Sequence, residues 1–200
     1  MVETTRSALA HLDGGARHEV DGIELVEHAD LGMVVLRGDA EDRDFLAAVR
    51  NAASVDLPLA PNTSTETPPI SVLWLGPDEW MLVCAGGSKA DLVDSLNTAL
   101  ADQHAAVVDM SDARTALRLS GHRARTALTK GCALDLHPRA FAFGDVAQTM
   151  VAKAAVILHQ TTDETDQPGP VFDIYVARSF ADYLWRWLAD TVSGDRRPSL

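Results

Sequence analysis

From Ile23 the chain alternates unevenly between apolar and polar positions and closes into Met33-Val34-Val35-Leu36, a strand signature. From Asp39 or Ala40 the period changes. Phe45, Leu46 and Val49 form a helical stripe, which Leu57-Pro58-Leu59-Ala60-Pro61 terminates. The Thr- and Pro-rich stretch 62–69 is expected to be a loop. Two apolar runs, 71–75 and 80–84, flank Gly76-Pro77-Asp78-Glu79 and predict a β-hairpin. Ser88, with Asp91 three residues on, predicts a helix start, and Leu92, Val93, Leu96 and Leu100 follow helical spacing.

The order then recurs. A long strand is expected over 106–119, a helix over 122–130 ending at Gly131, and a proline stop at Leu136-His137-Pro138. A strand over 149–159, a polar loop over 160–170 and a strand over 171–176 follow. The closing helix, 178–192, places Phe180, Leu184, Trp187, Leu188 and Thr191 on one face. The same succession therefore runs over 23–105 and again over 106–193, after a loose arm (1–22) and before a short tail (194–200). The expected fold class is α+β: two duplicated β-α-β-β-α units of the ferredoxin-like split βαβ kind, with largely antiparallel sheets.

Composition narrows the function classes. The sequence is 46% hydrophobic and 23% charged, ordinary for a soluble globular protein. Its 17 basic and 29 acidic residues give a net charge of −12, which disfavours nucleic acid and anionic membrane surfaces. No apolar run approaches the roughly 20 residues of a membrane span. The first residues lack the pattern of a secretory signal, so a cytoplasmic location is expected. Cys84 and Cys132 have no partner pattern that demands a disulfide or a metal. Residues 106–160 invert the overall balance: Arg114, Arg118, Arg123, Arg125, Lys130, Arg139 and Lys153 stand against Asp109, Asp112, Asp135 and Asp145. Such a stretch suits contact with an acidic partner or a carboxylate ligand, and equally suits internal pairing with the acidic half.

Catalytic motifs are scarce. The dinucleotide, P-loop, GxSxG and HExxH patterns are absent, and the seven histidines are scattered. Ser120-Gly121-His122-Arg123-Ala124-Arg125 reads either as an anion site at a helix start or as an ordinary cap. Asp109-Met110-Ser111-Asp112-Ala113-Arg114 reads as an acid/base pair or a structural ion pair. In the last helix, Tyr183 and Trp185 flank the core stripe, as protein contact residues do, unless the helix is buried on more than one side.

Three strings, VLWLGPDEWMLV, DMSDARTALRLSGHRARTALTKGCALDLHPRAF and YVARSFADYLWRWL, resemble the gamma subunit of heterotetrameric sarcosine oxidase over about residues 70–190. The resemblance implies the fold of the folate-binding aminomethyltransferase superfamily. It also implies a role beside alpha, beta and delta chains, with alpha the direct contact. That assembly oxidises sarcosine to glycine with O2, giving H2O2 and formaldehyde or methylenetetrahydrofolate. FAD, FMN, NAD and zinc are then expected in the other chains, and no catalytic, cofactor or metal residue in this one. Gly131, Cys132, Leu134, Asp135, His137, Pro138, Arg139 and Phe141 carry over as family markers only. Subunit contact is expected at Arg123, Arg125, His137, Arg139, Tyr183 and Trp185. The alternatives are a stand-alone folate-binding aminomethyltransferase-like protein, with Arg123, Arg125 or Arg139 holding the glutamate tail, and a ferredoxin-like regulatory module for a small ligand.

Overall fold

The computed structural model describes residues 7–12, 16–162 and 169–194. Residues 1–6 and 13–15 of the expected arm, 163–168 of the expected polar loop and 195–200 of the expected tail lie outside the described residues. The strands and helices run β1 (Arg17–Val20), β2 (Ile23–His28), β3 (Leu31–Arg37), α1 (Arg43–Ala53), β4 (Ser64–Thr67), β5 (Ile70–Gly76) and β6 (Glu79–Ala85). They continue with α2 (Lys89–Ala99), β7 (Ala106–Asp109), β8 (Arg114–Ser120), α3 (Ala124–Thr129), β9 (Val146–Val151), β10 (Ala154–Gln160), β11 (Val171–Ala177) and α4 (Ala181–Gly194).

The chain forms two units, the first comprising Asp30–Ala113 with Gly144–Ala147. Its sheet has the order β4-β5-β6-β3-β7, and every pairing is antiparallel. Without the edge strand β4, this is the split βαβ arrangement in strand order and connection. Alternation sends Val34 and Leu36 of β3, Val72 of β5 and Trp80, Leu82 and Cys84 of β6 into one core with Phe45 and Val49 of α1 and Leu92 and Leu96 of α2. Burying each large apolar side chain of that set stabilises by roughly 1.5–3 kcal/mol. Helix α1 starts at Arg43 rather than at Asp39 or Ala40, because the Asp42 side chain accepts the N–H groups of Asp44 and Phe45. The expected loop 62–69 contains β4, which pairs with β5 from Ser64↔Leu73 to Thr67↔Ile70. Its Thr- and Pro-rich composition masked an edge strand.

The second unit comprises Met1–Ala29, Arg114–Phe143 and Gln148–Leu200. Its sheet has the order β1-β2-β8-β11-β10-β9. The expected arm thus includes a strand: β1 and β2 form a hairpin with Val20 opposite Ile23, turning through Asp21 (φ 49) and Gly22 (φ 75). An Asp-Gly pair with both φ positive is the favoured two-residue hairpin turn, so the signal was present in the sequence. Ala152 (φ 51) likewise separates β9 from β10 within the expected single strand 149–159.

The units are not the contiguous segments 23–105 and 106–193. Those segments do begin the two repeats, at β2 and β7. Yet β2 pairs with β8 of the later repeat, and β7 pairs with β3 of the earlier one. The opening strand of each repeat completes the other repeat's sheet. The expected long strand 106–119 therefore breaks between β7 and β8. Ser111 marks the break: its hydroxyl accepts the Met33 N–H at 3.0 Å, and its own N–H donates to Asp109 Oδ1 at 2.9 Å.

Candidate functional site

In the second unit a polar line crosses the sheet. Arg118 of β8, Asp173 of β11 and His159 of β10 are direct cross-strand partners. Arg118 donates to both Asp173 oxygens at 2.7 Å, a bidentate pair. His159 is fully buried at 0% exposure. Burial first, and then the Arg118 charge, lower its pKa to about 4 against the opposing pull of Asp173. Half-buried His28 is also lowered, by burial and then Arg118. A neutral imidazole beside a carboxylate is a pairing used in acid–base catalysis. Here the carboxylate is held by arginine and the ring is closed to solvent, so the arrangement serves the fold.

Arg125 turns inward. Its guanidinium donates to the carbonyl of Leu136, to that of Phe141 at 3.0 Å and to Gln160 Oε1 at 2.9 Å, and it lies 5.2 Å from the Phe172 ring centroid. It clamps the loop 132–141 from α3, and the expectation that it faces a partner is replaced by this internal role. Two members of the cationic stretch, Arg118 and Arg125, are thus engaged within their own unit. On the same loop His137 and Arg139 are exposed. His137 Nδ1 accepts the Arg139 N–H at 3.2 Å, and the His137 N–H donates to Asp135 Oδ1 at 3.0 Å. Arg123 is half-buried at the start of α3, a helix of 6 residues. The Ser120-Gly121 segment is a packing device: a Cβ on Gly121 (φ 114) would lie 2.0 Å from the Gly22 carbonyl oxygen.

On α4 the core stripe is Ala181, Leu184, Trp185, Leu188 and Val192. Trp185 is 7% exposed and belongs to the core, whereas Trp187 is half-buried beside Gly131, where a Cβ would lie 2.4 Å from its ring. The stripe differs from expectation because 178–180 form a separate 3-10 turn and α4 begins at Ala181. Phe180 and Tyr183 are the exposed aromatics, 45% and 39%, in edge-to-face contact at 6.5 Å. Periodicity places Phe180 in the core, and the structure corrects this: the ring is 45% exposed. The structure thus places Arg123, Arg125, His137 and Arg139 along one segment and Tyr183 and Trp185 on α4.

In the first unit Asp109 of the Asp109-Arg114 motif pairs outside the motif, with Lys89 Nζ at 3.1 Å, rather than with Arg114. Burial pushes the Asp109 pKa up, but the Ser111 donors and Lys89 outweigh it and leave it below the usual carboxylate value. Cys84 and Cys132 are both buried free thiols. Among the described residues no group of three or more His, Cys, Asp or Glu is arranged to hold a metal ion. Sequence reading missed a cleft of about 1040 Å³ in this unit, lined by the end of β3 and the start of α1, by the 59–61 segment, Trp74, the β5–β6 turn and the residues leading into β7. Its walls come from segments far apart in sequence, which no local motif reports.

A profile described as "Sarcosine oxidase, gamma subunit family" matches residues 37–194. The chain belongs to the sarcosine oxidase gamma subunit family. It is 37% identical over 123 residues to the sarcosine oxidase subunit gamma of Corynebacterium sp. (strain P-1), covering 62% of this chain and 57% of that one. It is 34% identical over 148 residues to that of Corynebacterium sp. (strain U-96), covering 74% and 68%. The chain thus aligns with little more than half of the first relative's length. Among solved structures, a chain of the heterotetrameric sarcosine oxidase from Corynebacterium sp. U-96 in complex with pyrrole 2-carboxylate matches with a TM-score of 0.84, 30% identity and 98% coverage of both chains. The glycine cleavage system aminomethyltransferase T from Bartonella henselae matches with a TM-score of 0.60 and 16% identity, over 86% of this chain and 45% of that one. That second likeness shows the shared fold, in agreement with the α+β, antiparallel architecture.

Proposed function

We propose that this gamma-family chain is a non-catalytic subunit of a heterotetrameric sarcosine oxidase and contributes contact surface to the assembly. The observation that carries this reading is the match over 98% of both chains to a chain of such an oxidase. The internal engagement of Arg118, Asp173, His159 and Arg125 supports it, since the groups best suited to chemistry are spent on the fold. The assembly would oxidise sarcosine to glycine with O2, releasing H2O2 and formaldehyde or methylenetetrahydrofolate. Alpha, beta and delta chains would carry the FAD, FMN, NAD and zinc, with alpha the direct neighbour, in the cytoplasm. On this chain the contact candidates become Arg123, His137, Arg139, Tyr183 and Phe180.

Co-expression with the alpha, beta and delta chains, followed by light scattering and an H2O2 assay, tests the proposal. The expected result is one species containing all four chains, active with sarcosine, while the isolated chain turns over nothing. An isolated chain that binds tetrahydrofolate tightly and joins no complex would instead support the stand-alone folate-binding alternative.

A further inference from the structure

We infer that Arg125 is a positioning residue for subunit contact: from within the second unit it fixes the turn 137–140, which thereby offers His137 and Arg139 to a carboxylate of a partner chain. This rests on the subunit reading above. The turn is an exposed tip between two buried stems. His137, Pro138, Arg139 and Ala140 are all exposed, whereas Leu136 and Phe141 on either side are 1% and 6% exposed. A single nitrogen, Arg125 Nη1, donates to the carbonyls of both stems, and Nη2 ties the same guanidinium to buried Gln160 of β10 at 2.9 Å. The Phe172 ring of β11 supports the guanidinium from one side, 5.2 Å from its centroid. Within the tip, the His137 carbonyl accepts the N–H groups of Ala140 and Phe141 at 2.8 and 2.9 Å. The tip is thus pinned at both ends and hydrogen-bonded across.

Stability alone does not call for a guanidinium at this position, since well-packed apolar side chains often serve it as well. What the planar fork adds is a fixed loop shape, because one rigid group holds two stems at once. That shape presents donors. His137 Nδ1 accepts the Arg139 N–H at 3.2 Å, so the neutral ring carries its own proton on Nε2. The Arg139 guanidinium forms no ion pair among the described residues. Asp135 turns one oxygen back to the His137 N–H at 3.0 Å. An imidazole N–H and a guanidinium two residues apart suit a carboxylate, which accepts from both. All four tip residues are exposed, which fits a carboxylate carried on a docked chain rather than an enclosed small anion. Fixing the tip beforehand removes the cost of ordering it at contact.

The test uses the co-expressed complex, with incorporation of this chain followed by light scattering over a concentration series. Arg139→Gln is expected to weaken incorporation about tenfold and to reduce its salt dependence. Arg125→Met is expected to weaken it by a similar factor and to speed amide exchange over 137–141 of the isolated chain, with exchange in the first unit unchanged. Arg125→Lys keeps the charge and part of the donor set, and is expected to recover part of both losses. Because the two effects share one cause, Arg139→Gln made in the Arg125→Met chain is expected to cost less than about threefold more. Circular dichroism establishes that each isolated variant is folded. Where Arg125→Met is not, Arg125→Lys takes its place in the cycle, and the exposed change Arg139→Gln tests the presented surface in either case. Folded Arg125→Met incorporating like the unsubstituted chain, unchanged incorporation of Arg139→Gln, or full additivity of the two changes overturns the positioning proposal and leaves the subunit reading standing. Failure of the unsubstituted chain to enter any complex overturns the subunit reading itself.

Discussion

Arg118 and Asp173 face each other on neighbouring antiparallel strands, joined by two parallel hydrogen bonds of 2.7 Å, with the Asp173 side chain only 7% exposed. The Arg118 side chain is 36% exposed, so its own burial is partial. Removing the arginine strands a buried carboxylate. Arg118→Met is therefore expected to cost about 2–3 kcal/mol, after allowance for solvent screening of the arginine. The double variant Arg118→Met/Asp173→Leu is expected to cost less than Arg118→Met alone, because no unpaired charge remains. Urea unfolding of the three chains checks both statements.

His159 makes stability depend on pH. Its folded pKa, about 4, lies below the ordinary histidine value of 6.5, so the unfolded chain binds the proton more tightly. Stability from this group is fully present above 6.5 and is lost as pH falls through that value towards 4, a difference of about 3 kcal/mol. Half-buried His28 is shifted in the same direction and adds to the loss. Urea midpoints at pH 7.5, 5.5 and 4, compared with those of His159→Gln, should show the variant losing less across this interval.

The aromatics of α4 separate folding from contact. Trp185, 7% exposed, is a core residue, so Trp185→Ala is expected to destabilise the isolated chain by about 3–5 kcal/mol. Phe180→Ala and Tyr183→Ala remove exposed rings and are expected to change stability by about 0.5 kcal/mol or less. If these two rings meet another chain, their loss weakens assembly without lowering the thermal midpoint. Calorimetry beside co-purification distinguishes the two behaviours.

The strand exchange between repeats gives a fourth expectation. Segment 30–113 contains every strand of the first sheet, β3 to β7, and both helices of its core. Expressed alone, it is expected to unfold cooperatively. Segment 114–200 lacks β2, the partner of β8, and with it the buried Ile23 and Leu25. It is expected to fold only when a peptide spanning residues 16–29 is added, a change that circular dichroism reads directly.

Short-range rules recovered much of this architecture. The α1 and α2 stripes, the 71–84 hairpin, the punctuation at Leu57-Pro58 and the duplicated order all follow from side-chain periodicity and from the residues that stop it. The quoted strings also sufficed for the family, since they preserve those local features in order. Some local signals were legible but overlooked, above all Asp21-Gly22 as a hairpin turn.

What only the tertiary structure decided is which segments meet. Nothing local in Val26 or Val108 states that β2 will pair with β8, or β7 with β3, because pairing energy depends on neighbours brought together after the chain has turned several times. The same reason hid the roles of individual polar residues. Arg118, Arg125 and Arg139 are alike in sequence. The first is fixed by Asp173, 55 residues away, the second by carbonyls 11 and 16 residues away, and the third stays exposed. Residue type set what each cation was able to do, and long-range contact set what it does.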